Sequence, residues 1–375
     1  MSNLILDSLE IKNFRTFKHL VIEKFGRVNL IVGKNGVGKT ALLEALQLYA
    51  GQAHATIIEQ LLENRDERPQ IPPEQIDTIE IDALVNSIRY LFHGYPEILD
   101  ESIQHNIYIG AIDSFENSLS ITLGWHQMSL PESDEKSVQV TILREPVVHP
   151  YTLRDKFLGI TIRKGNEGET ATLTSYVDPR LKGLWQKAET RFRFVPASGV
   201  QTSQMVKDWE KIALSELETD ITNALKIIEP GIERIHFGTN PYRAWERIPE
   251  ARVNGSRMPI RTFGEGALRI LGLGLALTNA QNGMLLVDEI ESGLHYTVQV
   301  ELWQLVFQLA KRLNVQVFAT THSDDCVRAF QYVAHESMDI EAEFIRLEMW
   351  QGLSKAIVFD EDRLTTAIEG QIEIR

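Results

Sequence analysis

A single cysteine, Cys326, stands among the 375 residues, which excludes an internal disulfide framework and any zinc knuckle or hook built from several cysteines of one chain. Its plainest reading is a small buried apolar residue on a helix. Apolar runs are short as well: the longest, such as Ile270–Leu277, fall well below the roughly 18 residues that a bilayer span requires. The N-terminus lacks the basic-then-apolar plan of a signal peptide, so a cytoplasmic protein with no membrane partner is expected. Positive charge is scarce: 38 Lys and Arg face 52 Asp and Glu, a net charge of −14. That excludes a surface basic all over and leaves nucleic acid only a local patch. The stretch RLKGLWQKAETRFR, Arg180 to Arg193, includes Trp185 and Phe192; it fits such a patch and equally fits a solvated amphipathic helix. No internal repeat, low-complexity tract or sustained heptad pattern is present.

What is present is an α/β pattern. Residues 4–12 (LILDSLEIK) and 28–32 (VNLIV) read as strands, and TALLEALQLYA from Thr40 carries apolar residues at helical spacing. Residues 59–74, polar and proline-bearing, read as a surface excursion. Between Asn106 and Tyr176, short β-rich runs parted by Asp, Asn, Gly and Glu predict an antiparallel meander. After Arg193 the α/β pattern returns, with a strand end at RFVPASG, a helix over 205–229 and buried strands at GMLLVDE and VQVFATTHS. A helix Val298–Leu313 separates those two strands; EFIRLEMW and KAIVFD then read as strands and RLTTAIEG as a terminal helix. The expected organisation is a nucleotide-binding core, 1–51 with 190–375, interrupted by a helical and β-rich lobe over 52–189.

The stretch GKNGVGKT, Gly33 to Thr40, fits G-x-x-x-x-G-K-[ST] and lies between a predicted strand and a predicted helix, the context its chemistry demands. Gly33, Gly36 and Gly38 let the loop, with Lys34, Asn35 and Val37, turn backbone N–H groups toward phosphate oxygens, and the following helix adds its positive dipole end. Lys39 is then placed to neutralise β- and γ-phosphate oxygens, and the Thr40 hydroxyl to ligate Mg²⁺. Hydrolysis needs, in addition, a metal carboxylate and a group that activates water. MLLVDEIESGLH supplies both: four apolar residues form a strand whose end presents Asp288, suited to Mg²⁺, and Glu289, suited to polarising the attacking water. The next predicted strand ends at TTHS, Thr320 to Ser323, so His322 reaches the same carboxyl edge of the sheet, where open α/β sheets bind ligands. In that company it reads as a sensor of the γ-phosphate.

A fourth stretch, TFGEGALRILGLGLAL from Thr262 to Leu277, leaves two readings: a buried helix after a turn, or a nucleotide sensor. Leu268, Leu271 and Leu275 form the apolar stripe that anchors the helix in either case.

The phosphate loop, the DE strand and the TTHS strand, preceded by LEIKNFRTF at Leu9 to Phe17, resemble the ABC-type ATPase heads of the SMC, RecF and overcoming-lysogenization-defect proteins. DEIESGLHY, Asp288 to Tyr296, is most similar to the last of these, AAA-family ATPases of phage-defence systems. The resemblance covers residues 1–50 and about 190 onward. It implies a P-loop core with an antiparallel β subdomain and a helical signature lobe, and ATP with Mg²⁺ as ligands. It also implies that Gly264, Glu265 and Gly266 form a signature loop that reaches the γ-phosphate bound by another protomer, although Phe263 stands where the family has a serine. Arg15 is implied near the nucleotide or the dimer seam, against the plain alternative of a surface arginine in a turn. Ser292, Gly293 and His295 are implied at the seam, His295 serving equally well as a helix cap, and a glutamine such as Gln127 or Gln139 should couple Mg²⁺ to the helical lobe.

The function expected on this basis is that of an ATPase whose ATP-bound state assembles a homodimer or higher oligomer and controls a separate effector in anti-phage defence. Too few residues follow His322 for a TOPRIM domain of about 100 residues, so a TOPRIM-like nuclease or other toxin is expected as its own chain. Two alternatives belong to other classes: a RecF-like DNA-repair clamp, and an ATP-gated protein scaffold that hydrolyses weakly.

Overall fold

Every residue of VNLIV, MLLV and QVFAT is buried, as parallel strands covered on both faces must be. The computed structural model describes residues 4–67, 87–96, 105–129, 139–142, 156–165, 170–172, 192–240 and 242–359. The chain begins with β1 (Leu9–Phe14), β2 (Phe17–Ile22), β3 (Val28–Val32), α1 (Lys39–Ala50) and α2 (Ala55–Glu63). Then come β4 (Asn106–Gly110), β5 (Ser118–Ser129), β6 (Gln139–Ile142), β7 (Lys156–Lys164), β8 (Thr170–Thr172) and β9 (Phe192–Val195). Next are α3 (Thr202–Ile212), α4 (Glu216–Leu225), β10 (Ile232–Asn240), β11 (Arg243–Val253), β12 (Ser256–Pro259) and α5 (Glu265–Thr278). Last are β13 (Met284–Val287), α6 (Gln299–Arg312), β14 (Gln316–Thr320), α7 (Asp324–Glu336), β15 (Ala342–Trp350) and β16 (Leu353–Phe359).

The central sheet runs β16-β15-β3-β14-β13-β9 and is parallel except where β16 joins β15. Its side chains alternate between two cores, as a period of two requires. Ile31, Leu286 and Phe318 pack with α1 and the N-terminal strands, whereas Leu30, Val32, Leu285, Val287, Val317 and Ala319 pack with α6 and α7. Trp303 on α6 is fully buried in the second core, edge-on to Phe330 of α7 at 5.0 Å between ring centroids. Truncating it leaves a cavity on top of the lost transfer energy, so Trp303→Ala is expected to cost about 3–5 kcal/mol. Chemical denaturation measures this; a loss under about 1 kcal/mol would contradict the packing role.

A second sheet runs β2-β1-β4-β5-β7-β8. β4 pairs antiparallel with β1, Glu10 opposite Gly110 and Lys12 opposite Tyr108, so the meander extends the sheet that β1 and β2 begin. β6 pairs with the far end of β5, His126 opposite Ile142.

The third sheet, β10-β11-β12, has no counterpart in the sequence reading. A register shift between Ile232 and Arg234 breaks its alternation, and a bulge of that kind erases the period-two signal. The helix expected over 205–229 is likewise two helices, α3 and α4. Leu214, at φ 65°, turns the chain between them, and Ser215 caps α4 by accepting from the Leu217 amide at 3.3 Å while the Leu214 amide donates to Glu218 at 3.1 Å. Ser215 and Glu218 thus stand at the S-x-x-E spacing of a helix start. Among the described residues no helix is long and apolar enough to cross a membrane. Most of the basic run 180–193 and the helix expected near 363–370 lie outside the described residues.

Candidate functional site

β3, β13 and β14 are neighbours in register, Val28 beside Val317 and Met284 beside Gln316, so their carboxyl ends open on one edge of the sheet. The loop leaving β3 climbs through Gly33, Gly36 and Gly38, at φ 148°, 80° and 110°. A Cβ on Gly38 would lie 2.7 Å from the Phe17 ring and the Thr16 methyl, and one on Gly33 would lie 2.4 Å from the Leu347 carbonyl oxygen. Only glycine meets both the torsion and the space. α1 starts directly after Gly38 with no side-chain cap and no acid in its first turn. Its first N–H groups and positive dipole end can therefore take an anion without internal competition. Those features, together with the glycine cradle, fit a phosphate chain.

Lys39 is buried and its ammonium donates to the carbonyls of Gly33 at 2.5 Å and Lys34 at 3.1 Å. Burial lowers its pKa, while Asp288, Glu289 and Glu291 pull it back up. Across the cleft, the Thr320 hydroxyl joins both acids of the DE pair. It donates to Asp288 Oδ1 at 2.6 Å and accepts from the Glu289 amide at 2.9 Å. Glu289 takes φ 47°, a left-handed conformation that a non-glycine residue holds only where its surroundings impose it. His322 Nε2 stands 3.7 Å from Glu289 Oε1, and its amide donates to Glu291 at 3.0 Å.

These groups line a cleft of about 210 Å³. Asn35, Gly36, Gly38, Lys39 and Thr40 form one wall and Asp288, Glu289 and His322 the other. Arg15, Thr16, Arg65 and Tyr95 close the side. Val37 points instead into the core, and Lys34 is exposed. Gly264–Gly266 do not line the cleft. Gly264 caps α5 at φ 92°, and Glu265 and Gly266 are already in the helix, so the three residues are a helix start more than a loop. Phe263 ends a short 3₁₀ turn and packs on the helical lobe. His295 caps the turn Tyr296–Val298 by accepting from the Thr297 amide. The side chains of Gln127 and Gln139 are outside the described residues.

Arg15 is no surface residue: it is 4% exposed. Its guanidinium pairs with Glu44 at 3.0 Å and with Glu67, and donates to the Tyr90 carbonyl at 3.1 Å. Arg65 donates to the same Glu44 at 2.6 Å. Burial raises the Glu44 pKa while the two arginines oppose the rise, a crossed set of charges under the side wall.

Thr320 and Arg269 escaped the sequence reading. Arg269, on α5, is buried and donates to the carbonyls of Pro196 at 2.7 Å, Asp288 at 2.9 Å and Glu289 at 2.7 Å. Burial lowers its pKa to about 10, with Glu291, Asp288 and Glu289 acting the other way. A signal existed, since Arg269 is the one charged residue between Glu265 and Asp288, and a charge inside an apolar helix needs partners.

A family model described as "AAA domain" matches residues 8–230, and one described as "AAA domain, putative AbiEii toxin, Type IV TA system" matches residues 214–326. An ATP/GTP phosphatase from Helicobacter pylori is 23% identical over 360 residues, covering 88% of this chain and 89% of its own. The DNA replication and repair protein RecF from Clostridioides difficile is 51% identical over 43 residues, 12% of either chain. Among solved structures, an SMC head bound to the C-terminal winged-helix domain of ScpA superposes with a TM-score of 0.49 at 14% identity, over 97% of this chain and 99% of that one. With more than half of its length matched by one family model, the chain belongs to the AAA-domain family.

Proposed function

We propose that the cleft binds ATP with Mg²⁺ and hydrolyses it, and that the ATP-bound chain assembles a homodimer or higher oligomer that controls a separately encoded effector. One observation carries the hydrolytic part of this reading: the Thr320 hydroxyl ties Asp288 and Glu289 together, opposite Lys39 across the same cleft. Thr40 and Asp288 are the residues that would hold Mg²⁺, which supplies charge neutralisation between the phosphates. Glu289 accepts a proton from water as the water oxygen attacks the γ-phosphorus. The bond to the β,γ-bridging oxygen breaks and its electron pair leaves with ADP. Lys39 offsets charge on the oxygens, and His322 donates toward the departing phosphate.

The same reading keeps 1–51 with 190–375 as the ATPase core and 52–189 as an inserted lobe, through which the scaffold alternative would bind a protein. Gly264–Gly266, which do not line their own cleft, are offered to the nucleotide of a second protomer. A separate nuclease or toxin as effector and a place in anti-phage defence complete the proposal; the description of the family model over 214–326, which includes a Type IV TA system, supports a link to toxin–antitoxin proteins. Phe263 favours a second reading, an ATP-gated scaffold with little turnover, because its ring packs on the lobe and offers the phosphate no hydroxyl.

Phosphate release and sedimentation velocity, with and without ATP and Mg²⁺, test the proposal together. Steady Mg²⁺-dependent release with an ATP-dependent increase in mass is expected. An increase in mass without release supports the scaffold; neither effect refutes both readings.

A further inference from the structure

We infer that Arg269 is a positioning residue that sets the geometry of Asp288 and Glu289 from the signature helix α5. The inference rests on the ATPase reading of the cleft. A single nitrogen, Nη2, donates to the carbonyls of two consecutive residues, Asp288 at 2.9 Å and Glu289 at 2.7 Å. Successive carbonyls of an extended strand point to opposite sides, so both reach one donor only if the chain turns between them. The turn is the left-handed Glu289, φ 47°. That torsion carries the Glu289 side chain to the cleft wall facing Lys39.

Nη1 of the same guanidinium holds the Pro196 carbonyl at 2.7 Å, just beyond β9, which pairs with β13 along Val195 and Val287. The fork therefore braces the strand end from two sides, a geometry suited to the planar guanidinium and not to a point charge. The start of α5 also touches the far end of the acidic loop, since a Cβ on Gly266 would sit 3.2 Å from the Gly293 carbonyl oxygen and 3.3 Å from Leu294. Arg269 lies one turn inside the helix that Gly264 opens. A helix turn moves as a body, so a ligand drawn to the helix start shifts the fork, and the fork shifts Glu289. Binding at the signature end is thereby converted into alignment of the water-activating carboxylate.

Arg269→Met and Arg269→Lys in the full chain test this. With Met, which keeps the apolar stem, nucleotide affinity and KM for ATP are expected to stay within about threefold while kcat falls about 10–100-fold, a split diagnostic of lost transition-state alignment. Lys is expected to recover part of kcat, because one ammonium reaches some of the carbonyls. Unchanged kcat in a folded Met variant, or a fall in affinity as large as the fall in kcat, overturns the inference. Amide hydrogen exchange supplies a readout independent of turnover: Arg269→Met should speed exchange over 288–294 and leave 33–42 as it was. Unchanged exchange over 288–294 overturns the role of Arg269 even if the unmodified chain hydrolyses ATP, whereas faster exchange in a chain that never hydrolyses ATP overturns only the ATPase reading.

Discussion

Glu289→Gln is expected to lower phosphate release by about 10²–10³-fold, the usual loss when a positioned proton acceptor is removed, while ATP still binds. The amide is isosteric and the backbone that places it is fixed independently, by the Thr320 hydroxyl on its N–H and by Arg269 on its carbonyl. The phosphate cradle lies on a different strand end and loses nothing. An enzyme that binds but does not turn over accumulates in its ATP-bound state, so the variant should remain oligomeric for as long as ATP is supplied. Single-turnover phosphate release alongside sedimentation reads both effects. Turnover equal to that of the parent chain would remove Glu289 from the chemistry.

Lys39→Ala acts at the preceding step. Charge-assisted hydrogen bonds contribute about 1.5–3 kcal/mol each, so losing two to phosphate oxygens is expected to weaken ATP binding by about 10²–10⁴-fold. The fold should tolerate the change. Lys39 is buried with its pKa lowered chiefly by desolvation, so its charge is held at a cost even in the native state, and Gly33 and Lys34 lose only a carbonyl partner each. Titration with a fluorescent ATP analogue, with chemical denaturation as control, measures the two effects. Loss of affinity together with loss of fold would make Lys39 a structural residue.

The phosphate loop and the DE strand were legible in the sequence because their chemistry is local. Glycines at fixed offsets and four buried residues before two acids state both the torsions and the position at the sheet edge. The alternation of Ile31, Leu286 and Phe318 against Leu30, Leu285 and Val317 follows from the same local pattern. Relations between distant residues were not legible. Arg15 and Glu44 meet because β1 and α1 share a core, and the pair of buried charges reads in sequence as a turn and a helix face. Arg269 gave a sign of a buried charge but not of its acceptors, which are backbone carbonyls and carry no residue identity. The β10–β12 sheet was lost to a register shift, and the break at Leu214 was missed although Ser215 and Glu218 marked it.

If ATP is hydrolysed in a cleft completed by the helix start of a second copy, two chains defective in opposite halves of that cleft should complement each other. Phosphate release is measured from a mixture of Lys39→Ala chains and Gly264→Val chains, each of which is expected to be inactive alone. Random pairing restores one intact composite cleft in each mixed dimer, so activity is expected to recover to about a quarter of the parent level. Recovery no greater than the sum of the two variants measured separately would contradict the claim.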